Sequence, residues 1–292
     1  MKKVLLIGNP TEHSLSPVFQ QVAFDHLNLP WEYHNITTRS SELESVVGSM
    51  RSGGIIGANV TVPYKISIIS FLDELAPSAK KIGAVNTVQI IRDKAYSRLI
   101  GHNTDIEGFR ASVVSQRVTV ETSIASVIGT GGASLAVIAG LQSLGVKQIH
   151  LIGRNIIKVR QVADKPWSLE ITPHDLASIP SPELTGLLAE SSIIVQATSV
   201  GMAGGPAPNQ TPIPHAILES ALEISTRHQL LVDLVYSPTN TLFLSTASKL
   251  GVTGINGLEM LLRQGAAAFE IWTGQAAPID VMRASLKEAG IS

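Results

Sequence analysis

The stretch I-A-S-V-I-G-T-G-G-A-S, Ile124–Ser134, decides the fold. Ile124–Ile128 reads as a buried strand, Gly129–Ser134 as a glycine-rich turn, and Ala133–Leu144 as an apolar helix. A strand that turns on glycines straight into a helix starts a parallel α/β unit, because the helix must return over the sheet before the next strand. That next strand is Gln148–Ile152. Further strand candidates follow at Trp167–Ile171, Ser192–Ala197, Leu230–Val235 and Val252–Ile255. Gly201–Pro214 is rich in Gly and Pro and reads as a loop, with 203–208 its most mobile part. Leu258–Trp272 and Pro278–Ala289 look helical throughout.

Upstream, the same alternation recurs. Val4–Gly8 reads as a strand, Pro17–Leu27 as a helix, Trp31–Ile36 as a strand, Leu43–Met50 as a helix and Gly54–Val62 as a strand. Strands around Thr87–Ile91 and Arg98–Ile100 close this first series near Asp105, and a polar helix, Glu107–Arg117, leads onward. The alternation predicts parallel sheets covered by helices, in two domains. With 292 residues the chain is long enough for two cores.

Composition narrows the function classes. Hydrophobic residues make up 44% and charged residues 15%, with a mean hydropathy of +0.24. No uninterrupted apolar run approaches the roughly 20 residues that span a bilayer. The opening Met1–Gly8 stops at Asn9-Pro10, too short for a signal peptide, and reads as the first strand. There are no cysteines, which excludes disulfides and thiolate metal sites and fits the reducing cytoplasm. No H-x-x-x-H or H-E-x-x-H spacing is present, so no metal is expected. A net charge of −1 gives no general attraction for nucleic acid or anionic membrane.

Three polar clusters end apolar runs in the first series: N-V-T-V-P-Y-K at Asn59–Lys65, G-A-V-N-T at Gly83–Thr87 and G-H-N-T-D-I-E-G-F at Gly101–Phe109. They supply one lysine, one aspartate and several amides and hydroxyls, suited to gripping a small polyhydroxylated acid and moving a proton on it. Lys65 is otherwise a surface lysine, and Asp105 otherwise an N-cap for Ile106–Val114. Ser14 and Ser16, two apart, would point to one side of an extended segment and could donate to one carboxylate; the alternative is that they cap the helix after Pro17. Gly129, Thr130, Gly131 and Gly132 let a backbone approach a pyrophosphate at the N-terminus of the helix from Ala133. No Asp or Glu occurs from Thr122 to Ala163, so the carboxylate that holds a ribose 2′-OH in NAD-preferring units is missing. Arg154, with Lys158 one helical turn further on, could instead meet a 2′-phosphate.

These clusters, together with H-S-L-S-P at His13–Pro17, A-T-S-V-G-M at Ala197–Met202, D-L-V-Y-S-P at Asp233–Pro238 and G-L-E-M-L-L-R-Q-G at Gly257–Gly265, resemble the shikimate dehydrogenases over Gly8 to Trp272. The resemblance implies NADP-dependent, reversible reduction of 3-dehydroshikimate to shikimate on an α/β fold. It implies a discontinuous substrate domain, 1–106 with 258–292, and a Rossmann-like dinucleotide domain, 107–257, with the site in a cleft between them. It assigns Lys65 and Asp105 as the catalytic pair. Ser14, Ser16, Asn59, Thr61, Asn86, Tyr236 and Gln264 join them in binding substrate. Gly129, Thr130, Gly131, Gly132, Ala133, Gly153, Arg154, Asn155, Lys158, Thr198, Leu234 and Gly257 bind NADP.

The chain departs from the family where Gln20-Gln21 replace His-Asn, Leu135 replaces Arg, Gly153-Arg154-Asn155 stand for Asn-Arg-Thr, and Gln196 replaces Asn. The changes at 153 and 155 bear on cofactor affinity, and those at 20, 21 and 196 on substrate preference. A quinate/shikimate dehydrogenase using NAD, a catalytically silent metabolite sensor and an enzyme acting on another small acid are the rival readings; retention of Lys65 and Asp105 argues against the sensor. A homodimer is allowed, and the sequence does not fix the oligomeric state.

Overall fold

The computed structural model describes residues 1–93, 96–116 and 124–291. The chain folds into two compact units, Met1–Gly108 with Leu261–Ser292, and Phe109–Met260. The first begins with β1 (Lys2–Gly8), α1 (Ser16–His26), β2 (Trp31–Thr37), α2 (Leu43–Ser49) and β3 (Ile55–Val60). It continues through β4 (Glu74–Leu75), α3 (Pro77–Ile82), β5 (Thr87–Arg92) and β6 (Ser97–His102), and α4 (Asp105–Ser115) then carries the chain into the second unit. The end expected for α4, Arg117, lies outside the described residues.

Among the described residues these strands form one sheet in the order β2-β1-β3-β5-β6-β4. It is not the parallel sheet that the sequence predicts. β1 runs parallel to β2 and β3, but β5 is antiparallel to both β3 and β6. The short link between Arg92 and Ser97 accounts for the β5–β6 pair, since it permits a hairpin and cannot hold a crossover helix. In β1, Val4, Leu5, Leu6 and Ile7 are all buried, as a central strand covered on both faces requires. Leu5, Ile7, Ala58, Val60, Val88 and Leu99 pack with Leu43 and Val47 of α2 and with Met50 just after it to form the core on one face.

The second unit contains β7 (Ile124–Ile128), α5 (Gly132–Ser143), β8 (Gln148–Gly153), α6 (Ile156–Ala163), β9 (Glu170–Asp175) and α7 (Ser181–Glu190). It continues with β10 (Ile193–Gln196), α8 (His215–Ile224), β11 (Leu230–Asp233), α9 (Leu242–Lys249) and β12 (Thr253–Ile255). Its strands are all parallel, in the order β12-β11-β10-β7-β8-β9. Read from the other edge this is the doubly wound 3-2-1-4-5-6 order, whose reversal between β7 and β10 opens a crevice at the strand ends. The third strand begins only at Glu170, later than the sequence predicts, because the Trp167 indole donates to the Val162 carbonyl at 2.8 Å and belongs to the connection. Helices α7 to α9 are absent from the sequence-based expectation. They are short, and such helices are held by packing rather than propensity: Leu184 and Leu188, Leu218 and Leu222, and Phe243 and Ala247 join Ile128, Ile152, Ile194 and Leu231 in one core. On the opposite face α5 is buried from Ser134 through Leu141.

Two last helices, α10 (Leu258–Thr273) and α11 (Ile279–Glu288), return the chain to the first unit. α11 packs on α1, and Phe24 of α1 stacks on Phe269 of α10 with ring centroids 5.4 Å apart. The Trp272 indole lies where a Cβ on Gly57 would stand and donates to the Val88 carbonyl at 3.0 Å. Among the described residues no helix is long and apolar enough to cross a membrane.

Asp233, at the end of β11, is fully buried. It accepts hydrogen bonds from the Val235 amide at 2.9 Å and the Thr241 hydroxyl at 2.6 Å. Burial outweighs both bonds and pushes its carboxyl up to about 6. The folded state therefore holds this proton more tightly than the unfolded chain, so Asp233 removes stability as pH rises from about 4 through about 6. Asp233→Asn should abolish that contribution, and its stability relative to the parent should rise by about 2–3 kcal/mol between pH 4 and 7. Urea unfolding of both proteins across that range checks it; parallel curves would contradict the assignment.

Candidate active site

Lys65 follows β3 in a turn, and Asp105 opens α4 directly after β6. The two meet: Lys65 Nζ lies 2.5 Å from Asp105 Oδ2, with the side chains only 15% and 6% exposed. Neither plain alternative describes them. Lys65 is not solvated, and the Asp105 carboxylate is engaged by Lys65 and by Asn86, whose Nδ2 donates to Oδ1 at 2.8 Å. A buried carboxylate needs this second donor, because one ion-pair contact does not replace the water it has lost.

Asn86 is the hub of the cluster and is itself buried. Its Nδ2 also faces Thr104 Oγ1 at 2.9 Å and Gln264 Oε1 at 3.1 Å. Its Oδ1 accepts from the Thr104 amide at 2.8 Å and the Thr87 hydroxyl at 3.1 Å. Gln264, on α10, is buried rather than solvated, and its Nε2 donates to the Leu261 carbonyl at 2.8 Å. Asn59 on β3 stands behind this group. Its Oδ1 accepts from the Tyr33 hydroxyl at 2.7 Å, and its Nδ2 donates to Asn86 O and Thr87 Oγ1, each at 3.2 Å. Its amide is thus spent on protein partners. Burial raises the Tyr33 phenol far above its ordinary pKa, partly offset by a hydrogen bond with Ser16, so Tyr33 remains a neutral donor.

The extended segment expected at Ser14–Ser16 is not present. Leu15 is helical, Ser16 is the first residue of α1, and Ser14 Oγ accepts the Ser16 amide at 3.3 Å. The two hydroxyls therefore belong to a turn entering the helix. Thr61 is fixed through its backbone, donating to Ile7 O and accepting from Tyr64 N, each at 2.9 Å. Its hydroxyl has no partner among the described residues. Tyr236 belongs to the second unit, where burial raises its pKa.

In the second unit the strand ends form a cleft of about 240 Å³. Gly129, Thr130, Gly153, Arg154, Asn155, Lys158 and Thr198 line it. Gly129 has φ +122°, and a Cβ there would meet the Ala197 carbonyl oxygen at 2.9 Å, so only glycine makes this turn. Gly131 precedes α5 with no side-chain cap and open space beside it. The amides of Gly132 and Ala133, in the first turn of α5, have no partner within the helix. Asn155 also caps α6, its side chain accepting the Lys158 amide at 3.1 Å. Arg154 and Lys158 are exposed, with no acidic partner among the described residues. Gly257 allows the Leu234 carbonyl to pass where a Cβ would stand; both residues therefore hold the ends of β11 and β12 together. Among the described residues no group of three His, Asp or Glu side chains is arranged to hold a metal ion.

Residues 6–88 match the shikimate dehydrogenase substrate binding domain, and residues 257–287 the shikimate 5′-dehydrogenase C-terminal domain. A shikimate dehydrogenase (NADP(+)) of Desulforamulus reducens is 40% identical over 281 residues, covering 95% of this chain and 92% of the relative. The chain belongs to the shikimate dehydrogenase family. Among solved structures, the Thermus thermophilus shikimate 5-dehydrogenase in complex with NADP(H) and shikimate superposes with a TM-score of 0.82 at 30% identity, covering 99% of this chain and all of that one. The Listeria monocytogenes shikimate 5-dehydrogenase, in complex with shikimate and NAD, gives 0.83 at 32% identity, covering 98% and 96%.

The substrate-domain match contains Ser14, Ser16, Asn59, Thr61, Lys65 and Asn86, and the C-terminal match contains Gly257 and Gln264. Tyr33, Thr87 and Thr104 complete the hydrogen-bonded cluster without having been singled out from sequence. Thr87 and Thr104 stand inside two of the quoted motifs, which is a usable signal. Tyr33 sits in a plain alternating strand and gives none.

Asn86→Leu keeps the volume but removes the Asn86 partner of Asp105 Oδ1 and of the Thr104 amide. It should destabilise the protein by about 3 kcal/mol, as expected for stranding buried polar groups. Urea unfolding at pH 7 measures this, and a loss below about 1 kcal/mol would show that Asn86 is not the hub.

Proposed function

We propose that the protein is an NADP-dependent shikimate dehydrogenase, reversibly reducing 3-dehydroshikimate to shikimate on the route to the aromatic amino acids. The observation that carries this reading is the buried Lys65–Asp105 pair, fixed by Asn86 and Gln264, in a chain of this family. We assign residues 1–106 and 258–292 to substrate and 107–257 to the dinucleotide. Thr61, Asn86 and Gln264 meet substrate hydroxyls and Ser14 with Ser16 its carboxylate. Asn59 acts as frame, and Tyr236 contributes from the second unit. A cytoplasmic location fits the lack of cysteine. No nucleic-acid partner is proposed at a net charge of −1, and a homodimer is the assembly to test.

The second unit has what the cofactor needs: the glycine turn at positive φ, the uncapped start of α5, and two cations with no acidic partner among the described residues. Gly129 through Ala133 would hold the pyrophosphate, Arg154 and Lys158 the 2′-phosphate, and Gly153, Thr198, Leu234 and Gly257 the walls. When bound, the reduced nicotinamide supplies the hydride for the carbonyl carbon. The Lys65 ammonium gives a proton to the carbonyl oxygen as it becomes the alcohol. In the oxidative direction Lys65 takes that proton back. Asp105 holds Lys65 in place and stabilises its charge, so the proton is available at a fixed point.

The decisive assay follows absorbance at the reduced-nicotinamide band, with shikimate and quinate each tried against NADP and NAD. Turnover of shikimate with NADP is expected; turnover of quinate alone, or of neither acid, overturns the reading. Lys65→Ala should lower kcat about 10²–10⁴-fold, the span of general acid–base catalysis, with a smaller change in KM. A kcat equal to the parent's would remove Lys65 from the chemistry. Arg154→Ala should weaken the kcat/KM preference for NADP over NAD, since guanidinium hydrogen bonds to phosphate would be lost, and loss of Lys158 should weaken it further. An unchanged preference in the Arg154 variant contradicts this role.

A further inference from the structure

Gln196 ends β10, the strand between β7 and β11, and is fully buried. The hydrogen bonds of its side chain all go to residues of its own unit. Oε1 accepts from the Thr198 amide at 2.7 Å and the Thr198 hydroxyl at 2.8 Å. Nε2 donates to the Val200 carbonyl at 2.8 Å and the Thr198 carbonyl at 3.3 Å. The Thr198 hydroxyl oxygen in turn accepts the Val200 amide at 3.2 Å. One amide thus closes the whole Thr198–Val200 turn from inside. Thr198 and Val200 both line the 240 Å³ cleft, and Ala197 just before them is tied to β7, its amide donating to Ile128 O at 2.8 Å. The Ala197 carbonyl is also the group that a Cβ on Gly129 would strike.

The geometry points to Gln196 as a positioning residue for the dinucleotide: it acts through Thr198 to hold the wall opposite Arg154 and Lys158 in the shape that the nucleotide meets. This rests on the cofactor reading proposed above. It also reassigns Gln196, which the sequence places among the positions that bear on substrate preference. The physical basis is reach. A glutamine at the last strand position can place both ends of its amide against the backbone of residues two and four further along, and a buried amide so used is fully satisfied. An apolar side chain of the same length fills the space but leaves the turn to hold itself.

Gln196→Met tests this, because it preserves length and volume. In the protein without nucleotide, amide hydrogen exchange at Thr198 and Val200 should accelerate about tenfold or more. NADP affinity, measured by direct titration, should fall about tenfold. KM for shikimate should stay within about twofold, since the substrate grip is elsewhere. In a Thr198→Val background, the further loss of NADP affinity on adding Gln196→Met should shrink, because the residue acts through that threonine. Unchanged exchange at both amides overturns the positioning role whatever the enzyme's activity. Faster exchange with unchanged NADP affinity shows the turn to be scaffold only and overturns it equally. A parent protein that binds no NADP defeats the function proposed above, and the exchange measurement then still decides whether Gln196 holds the turn.

Discussion

The contact between the Lys65 ammonium and the Asp105 carboxylate, 2.5 Å long and largely shielded from water, sets the terms for much of the first unit. Two charges removed from water lose several kcal/mol of hydration each, and their mutual attraction offsets this only when the remaining lone pairs and protons are met. Asn86 supplies the missing donor to Asp105. Asn86 in turn must be held, and Thr87, Thr104 and Gln264 hold it. Tyr33 and Asn59 back this group from β2 and β3. A pair set in the turn after β3 and at the start of α4 therefore draws on β2, β3, β5 and a helix from the far end of the chain. Removing any one partner leaves a buried polar group exposed to its neighbours and to nothing else.

The second unit meets a related demand with different groups. Parallel strands end at one edge, and the chain must leave each of them through a turn whose backbone groups lose their ladder partners. Three of these exits are tied down by the strand ends themselves. Gln196 closes the turn after β10, Asp233 accepts from Val235 and Thr241 after β11, and Gly129 leaves β7 at a positive φ. The glycines at 129 and 257 make room for the carbonyls of Ala197 and Leu234. Rigid exits of this kind give a cleft a fixed shape before any ligand arrives, which lowers the ordering cost of binding.

Much of this was legible in the chain. The strand–turn–helix at Ile124–Leu144 was readable because apolar runs bounded by glycine mark buried elements, and β7, β8, β10 and β11 stand where those runs do. Lys65 and Asp105 stood out because both stand in polar clusters that close apolar runs, and the family resemblance paired them. The antiparallel β5–β6 hairpin was missed, although the few residues between Arg92 and Ser97 leave no room for a crossover. Helices α7 to α9 were missed because their apolar stripes are short and depend on the neighbours they cover. At Ser14–Ser16 the spacing suggested an extended segment, while local hydrogen bonding from the Ser16 amide to Ser14 made a turn into α1.

The sequence by itself determined the order of elements, the glycines that only a turn at positive φ or a close backbone approach can use, and the family to which the chain belongs. Each of those follows from local chemistry: periodicity, backbone freedom and motif order. The tertiary structure alone decided which side chains meet. Asn86 and Gln264 are separated by most of the chain, and nothing in either segment says that one amide will donate to the other. The orientation of Asn59 depends on Tyr33 from another strand, and the burial that lifts the Asp233 carboxyl comes from packing around β11. Hydrogen-bond direction and desolvation are properties of a three-dimensional neighbourhood, and a linear sequence carries them only after it has folded.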